Sequence, residues 1–429
     1  MVGSDIAWML VSTALVLLMT PALGFFYTGL VRSKNSLNTL MMSVASVGVV
    51  GLAWAFLGYS LAFGTGQTTG GFEHALLRGV GLEAKGTIPH LLFMAFQGTF
   101  AIITAALISG AIVERMRFGA YLGFITAWTL LVYAPVAHWV WGGGWLGALG
   151  ALDFAGGTVV HITAGTAACV AAIVLGPRKD YARQALLPHS VPLTVLGAGL
   201  LWFGWFGFNG GSALAANEQA VLAFVNTMFA PAATLTVWTA IDLARTGKAT
   251  AVGIATAIVV GLVAITPAAG YVSPISALVI GAIAAVPSYL GVLWRARTRL
   301  DDSLDVVAAH GVGGMVGALL TGVLAQQSWG SPADGLLFGN PAQFAIQALA
   351  VAVTIAFTAV GTAGILLAAR LVAPVRAAAL DEGVGLDVSQ HGEEAYGRGE
   401  GAVLVLPGRR TPSAAAVFTP ALEPQGEQS

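Results

Sequence analysis

Long apolar stretches recur along the whole chain, and they restrict its fold more than any other feature. Counting between polar residues and Gly/Pro punctuation gives eleven of them: 6–31, 39–63, 89–112, 119–140, 156–175, 191–210, 220–242, 251–267, 273–293, 304–325 and 343–370. A helix needs about 20 apolar residues to cross the hydrocarbon core of a bilayer. We therefore expect an all-α polytopic membrane protein with eleven transmembrane helices, the eighth being short.

The composition agrees with residence in a lipid bilayer. Only 9% of residues are charged and 57% are hydrophobic, with a mean hydropathy of +0.82, whereas soluble domains carry about 25% charged residues. The net charge of −1 argues against a nucleic-acid partner. The single cysteine, Cys169, excludes an internal disulfide and is interpreted as a small buried hydrophobe. Asp5 precedes the first apolar stretch without a basic region, so no cleavable signal peptide is expected.

Lysine and arginine alternate between the connecting loops. The loops after odd-numbered stretches, with the start of the tail, hold fourteen of them, whereas the loops after even-numbered stretches hold two, Arg78 and Lys85. Cytoplasmic loops carry the excess of positive charge in membrane proteins. The sequence therefore predicts a multi-pass protein of the cell inner (plasma) membrane, with its N-terminus outside and its C-terminus in the cytoplasm.

An aspartate and a histidine occur twice at the same spacing, as Asp153 with His161 and as Asp302 with His310. They fall in the fifth and tenth stretches, so each pair belongs to the last helix of a five-helix half. Since five is odd, the halves are inverted relative to one another, as in many transporters.

The inverted halves predict the domain organisation. Residues 1–372 form the transmembrane domain, with a first half-repeat at 6–175, a second at 191–325 and helix 11 at 343–370. Residues 373–429 form a cytoplasmic tail. About thirty residues at its end are rich in Gly, Pro, Ala and Ser and are expected to be disordered.

Small residues accompany both histidines at helical spacing. They are Gly157, Ala164, Gly165 and Ala168 around His161, and Gly313, Gly314 and Gly317 after His310. Such stripes let helices approach closely, so the two helices are expected to cross with their histidines in contact. The alternative is that each histidine bonds a backbone carbonyl. Each aspartate is expected to cap its helix.

Paired histidines in an apolar stretch could serve a metal site, a hydrolase or a path for a permeant. No metal site is expected, because the sequence has no His-Glu-x-x-His motif and no cysteine cluster. No catalytic residues are expected either, because a Gly-x-Ser-x-Gly motif is absent. The remaining hypothesis is the lining of a path for a small polar permeant, since an imidazole both donates and accepts hydrogen bonds.

Aromatic residues interleaved with glycine suggest the type of permeant. They occur around Trp141, around Trp205 and Phe208, and at Phe96 and Phe100. The ordinary role of tryptophan is anchoring at the membrane interface. Ring faces left open by glycine would instead attract a cation by roughly 0.5–2 kcal/mol, which is weak enough for conduction.

Four stretches of this sequence resemble the ammonium transporter family (Amt/Mep/Rh). They are Pro21-Ala-Leu-Gly-Phe-Phe-Tyr-Thr-Gly-Leu-Val-Arg32, Ala101-Ile-Ile-Thr104 ahead of Glu114-Arg-Met-Arg-Phe118, Asp153-Phe-Ala-Gly-Gly-Thr-Val-Val-His161, and the segment Gly385–Tyr396. The resemblance extends over nearly the whole chain and favours the Amt branch. It implies an ammonium transporter rather than an enzyme, without a cofactor, that also accepts methylammonium.

The resemblance also implies roles for individual residues. Trp141, Ser212 and Phe100 would recruit ammonium, supported by Asp153. Phe100 and Phe208 would form a gate. The pore would be lined by His161, His310 and Trp205.

Further implications concern assembly and regulation. The family fold is a homotrimer with one pore per subunit, and its tail serves regulation. The tail positions here are Asp387, His391, Glu393 and Tyr396. A PII-type signalling protein would dock on the cytoplasmic face.

Two alternatives stay open, an Rh-like ammonia or gas channel and an ammonium sensor. Because 59 residues follow residue 370, too few for a kinase domain, a sensor would act through a docked partner.

Overall fold

The computed structural model describes residues 1–396; the predicted disorder of the last thirty residues lies outside them. The described residues are mostly helical. The long apolar helices are α1 (Gly3–Leu30), α2 (Ser33–Phe63), α3 (His90–Ile112), α4 (Phe118–Leu149), α5 (Gly157–Leu175), α6 (Val191–Gly211), α7 (Glu218–Thr246), α8 (Ala251–Ile265), α9 (Pro274–Arg295), α10 (Val307–Leu324) and α11 (Pro341–Val372). All eleven match the predicted stretches, so the all-α polytopic membrane fold is confirmed.

The eighth helix is short, as expected from the sequence. Helix α8 has 15 residues, which gives a length of about 22 Å against about 30 Å of hydrocarbon. The chain continues as a buried turn from Thr266 to Gly270. Irregular backbone is tolerated at membrane depth only where protein covers it. Here Asn226 of α7 donates hydrogen bonds to the carbonyls of Ala269 and Val272.

Small elements complete the described part of the chain. A two-stranded antiparallel hairpin, β1 (Ala84–Lys85) and β2 (Ile88–Pro89), precedes α3. Helix α4 contains a turn at 141–144. After α11 come a short helix, Ala379–Val384, and a π-helical turn, Asp387–His391.

Glycines allow the corresponding helices of the two halves to pack closely. Helix α1 packs along α6, where Gly197 faces the backbone of Phe26 and Gly207 faces Leu15. Lipid offers no hydrophobic driving force between helices, so close backbone approach must supply the packing energy. The first helices of the halves thus contact each other, as do the last ones, α5 and α10.

A buried ion network joins the two halves at one end of the bundle. Glu114 accepts hydrogen bonds from Arg32 and Arg178, and Arg178 also binds Asp301 through two nitrogens. Burial would raise the pKa of Glu114, but the charges of Arg178 and Arg32 outweigh it and lower this pKa to about 2. The carboxylate is therefore ionised at neutral pH and ties α3 to the segments after α1 and α5.

Candidate conduction site

Helices α5 and α10 both begin with a π-helical turn that carries a histidine, His161 and His310. Asp153 caps α5: Oδ1 accepts from the N–H groups of Gly156 and Gly157, and Oδ2 accepts from those of Thr158 and Val159, all at 2.6–3.0 Å. Four donors that a helix leaves unsatisfied at its N-terminus are thereby paired.

In the part of the chain that the structure describes, Asp302 caps α10 with one oxygen. Its Oδ2 accepts from the Val307 N–H at 2.7 Å. Capping by both aspartates is confirmed, but the two caps differ in completeness.

The two histidines are in direct contact. The Nδ1 atoms of His161 and His310 lie 3.2 Å apart and the ring centroids 5.2 Å. A hydrogen bond between two Nδ1 atoms needs one donor and one acceptor, so one ring carries its proton on Nδ1 and the other on Nε2. Both rings are buried, and within residues 1–396 neither bonds a backbone carbonyl. The expected contact is confirmed, and the carbonyl-bonded alternative is wrong.

Glycine backbones make this contact possible. A Cβ on Gly165 would collide with the backbone of Gly311, and one on Gly314 would lie 3.0 Å from the Cβ of His161. Gly313 and Gly317 were also expected to face α5, but Gly313 faces Val263 and Gly317 packs against the backbone of Ala264, both in α8. The helices cross at an angle, so Gly314 alone of these three glycines lies against α5.

The histidines line a narrow cavity whose other walls are apolar. Its volume of about 10 Å³ admits about one molecule the size of water. The remaining lining residues are Met19, Leu23, Phe26, Ile103, Leu107, Val160, Leu201, Trp205, Phe208 and Val259. The indole N–H of Trp205 donates to Thr266 Oγ1 at 3.0 Å, so its ring presents a face to His161, with centroids 5.5 Å apart.

Sequence reasoning missed the contribution of α1 and α8 to these walls. Met19, Leu23 and Val259 are ordinary apolar residues in long apolar stretches. A pattern that could have indicated them is the spacing of glycines on α6, which bring α1 onto the cavity.

Stacked aromatic rings connect the cavity to one end of the bundle. Phe208 lies 6.1 Å from His161, Phe100 lies 4.2 Å from Phe208, and Trp141 meets Phe100 edge-on at 6.0 Å. The Trp141 indole donates to the carbonyl of Asp153 at 2.8 Å, which fixes its ring above the capped end of α5. All of these rings except Trp141 are buried.

Ser212 takes a separate position at the end of α6. It is partly exposed, and its hydroxyl donates to the Phe208 carbonyl at 2.7 Å. Trp141 therefore contacts Phe100 and Asp153, whereas Ser212 is attached to the same aromatic series through Phe208.

The tail residues lie at the other end of the bundle, close to the ion network. Asp387 is buried and accepts from the N–H groups of Leu37 and Asn38. His391 contacts Asn38 at 3.0 Å. Tyr396 lies 2.9 Å from His189, and Glu393 is exposed.

Inverted helical halves that enclose a narrow, apolar cavity with one buried polar pair define a class of protein. It is a polytopic membrane transport protein for a small polar solute.

Comparison with known proteins identifies the family. A model of the Ammonium Transporter Family matches residues 7–396, and the chain belongs to that family. It is 51% identical to the ammonium transporter of Aquifex aeolicus, over 91% of this chain and 92% of that protein.

Solved structures agree. The crystal structure of Candida albicans Mep2 superposes with a TM-score of 0.82 at 37% identity, covering 86% of this chain and 84% of Mep2. A structure described as a sensor Amt protein gives a TM-score of 0.84 at 30% identity, over 90% of this chain and 98% of that chain. The function of the chain is ammonium transport.

Proposed function

We propose that ammonium is recruited by Trp141, Phe100 and Ser212, and that its nitrogen passes as ammonia between His161 and His310. The observation that carries this proposal is the histidine pair, bonded at 3.2 Å in a cavity that is otherwise apolar. A cation that entered this cavity would lose its hydration, and the apolar walls offer no interaction that offsets this loss of free energy.

The aromatic series suits the recruitment step. Ring faces attract a cation by about 0.5–2 kcal/mol, and the Trp141 ring is held next to Phe100 by its bond to Asp153. Asp153 supports this end of the site as a cap and as a nearby negative charge. The stacked rings of Phe100 and Phe208 leave no gap at 4.2 Å, so they act as a gate that opens by ring rotation.

The histidine pair suits passage of a neutral molecule. Because the two rings share one Nδ1 proton, the pair offers both a donor and an acceptor to ammonia without a fixed charge. Trp205 stacks on His161 and restricts the width of the path.

Replacing both histidines tests the proposal. The His161→Leu/His310→Leu variant, reconstituted in vesicles, should lose selective uptake of labelled methylammonium. Trp139→Phe, remote from the cavity lining, is the control and should keep it. Unchanged uptake and selectivity in the double variant would refute the role of the pair.

The proposal extends to the orientation, assembly and cytoplasmic partner of the protein. Charge distribution supports an N-terminus outside and a C-terminus in the cytoplasm of the plasma membrane. Residues 1–372 would form the transmembrane domain, assembled as a homotrimer, and 373–429 the tail. A PII-type protein would bind the face on which Asp387 and His391 dock.

An ammonium sensor is the second candidate, favoured by the likeness to the sensor Amt protein and by a tail that contacts α2. Vesicle uptake separates it from a transporter, because a sensor would bind methylammonium without accumulating it. An Rh-like gas channel would conduct without block by cations at the mouth.

A further inference from the structure

Asp302 differs from its counterpart Asp153 in having an unused carboxylate oxygen. Its side chain is 0% exposed. Among the described residues, Oδ2 bonds the Val307 N–H while Oδ1 has no hydrogen-bond partner. A buried polar atom without a partner costs about 1–3 kcal/mol, so an unpaired oxygen here needs an explanation.

The cations near Asp302 bind other groups. Arg295 forms a two-pronged ion pair with Asp305, at 2.7 and 3.1 Å. Arg115 donates to the carbonyls of Ala111 and Asp301. In residues 1–396, no ion pair includes Asp302.

Its surroundings favour a protonated carboxyl. Burial raises the pKa of Asp302 to about 7, and the nearby charge of Asp305 acts in the same direction. Tyr27 of α1 and Cys169 of α5 are the other titratable side chains close enough to feel its charge. Both are neutral at pH 7 when unperturbed.

The location connects Asp302 to the cavity. It caps the turn that carries His310, at the end of the molecule opposite to Asp153. A Cβ on Gly110 would touch both the Tyr27 hydroxyl and Val306, at 2.8 and 2.7 Å. Tyr27 and Val306 therefore both pack against Gly110, three residues after Leu107. Leu107 lines the cavity, and its carbonyl accepts a hydrogen bond from Tyr27.

We propose that Asp302 is a proton-exchange residue on the cytoplasmic side of the histidine pair. This inference rests on the proposed function. Ammonia that has passed the histidines takes the proton from Oδ1 of the carboxylic acid: the O–H bond breaks, an N–H bond forms, and ammonium leaves with Asp302 as a carboxylate. Water on the cytoplasmic side then returns a proton to the carboxylate: an O–H bond of water breaks, the carboxyl O–H bond forms, and hydroxide is left in the cytoplasm.

Asp302→Asn separates this role from capping. The amide oxygen still accepts from the Val307 N–H, because asparagine caps helices as well as aspartate. The amide is too weak an acid to give a proton to ammonia. Asp305→Asn is the matched control, because it removes a carboxylate charge three residues away. That carboxylate already has an arginine partner, Arg295.

The experiment measures labelled methylammonium uptake into vesicles while the internal pH is varied from 5 to 9. Wild-type uptake should fall as internal pH rises past about 7, because the donor becomes a carboxylate. Asp305→Asn uptake should show the same fall at a lower pH, because the charge of Asp305 helps to raise the pKa of Asp302. Asp302→Asn should be at least tenfold slower at pH 6, with no such midpoint. An unchanged rate, or a slower rate with the midpoint retained, overturns the proposal.

A second measurement applies even if Asp302→Asn does not fold. Infrared difference spectra of the wild-type protein should show a buried carboxylic-acid band that titrates near neutral pH and shifts when ammonium is added. Absence of that band overturns the proposal. Absence of wild-type uptake would instead refute the proposed transport function, and this inference with it.

Discussion

Helices α5 and α10 both begin with the Asp-x7-His spacing, but their aspartates form different hydrogen bonds to the first turn. Among residues 1–396, Asp153 uses both oxygens to bind four N–H groups, whereas Asp302 binds one N–H group and its Oδ1 has no partner. The inverted repeat therefore fixes where the carboxylates lie, while their surroundings decide what each can do. We propose proton exchange for Asp302 and not for Asp153, because only Asp302 has an unpaired oxygen among residues 1–396.

The largest expected effect is on stability, from removal of the complete cap. Asp153→Ala leaves four buried N–H groups without a partner, each worth about 1 kcal/mol or more. We expect a loss of roughly 3 kcal/mol or failure to fold, measured by thermal unfolding in detergent. Asp302→Ala should cost about 1 kcal/mol. Equal losses at the two positions would contradict the difference in capping.

The helix crossing provides the next comparison. A Cβ on Gly165 collides with the Gly311 backbone, whereas a Cβ on Gly311 finds the Cα of Gly165 at an ordinary 3.5 Å. Gly165→Ala should therefore separate the histidines and reduce methylammonium uptake by about tenfold, since overpacking costs about 1–3 kcal/mol. Gly311→Ala should retain most uptake. The reverse order would show that the crossing is not held at Gly165.

The ion network predicts an acid dependence of stability. Glu114 has a lowered pKa of about 2 when folded, so its contribution is fully present above its unfolded pKa of about 4.3. That contribution is lost as pH falls from there towards 2. Glu114→Gln should be less stable than wild type at pH 7, and the gap should narrow at pH 3. Unfolding midpoints measured at pH 7 and pH 3 should show this narrowing. Glu393 is exposed, so Glu393→Gln is the control and should unfold like the wild type at both pH values.

The smallest effect concerns recruitment. Trp141→Phe keeps a ring beside Phe100 but loses the bond to the Asp153 carbonyl, worth about 1 kcal/mol. The apparent KM for methylammonium should rise about fivefold with little change in maximal rate. Trp145→Phe, outside the aromatic series, should leave the KM unchanged. An unaltered KM in Trp141→Phe would exclude this indole from recruitment.

Much of the fold could be predicted from apolar length alone. A span must be about 20 residues long and lack charge, so its position is visible in the sequence even where its ends are not. The predicted start of α10 at residue 304 lies three residues before Val307, because a positive φ at Asp305 delays the helix.

The site was less predictable than the fold. The histidines and aromatics were recognisable as unusual residues in apolar stretches. The apolar wall residues Met19 and Val259 were not recognisable, since nothing in the sequence distinguishes an apolar residue that lines the cavity from one that faces lipid. Gly313 and Gly317 were assigned to the wrong partner helix because helical spacing gives a face but no crossing angle.

The sequence by itself determined a bundle of eleven apolar helices in two halves, with an aspartate and a histidine eight residues apart at the start of the last helix of each half. Hydrophobic length and charge alternation are local properties, and they suffice for this. Only the tertiary structure decided that the histidines bond each other and that, within residues 1–396, both oxygens of Asp153 have partners while Oδ1 of Asp302 has none. Hydrogen-bond partners and cation pairing depend on which distant segments meet, and one-dimensional spacing does not record them.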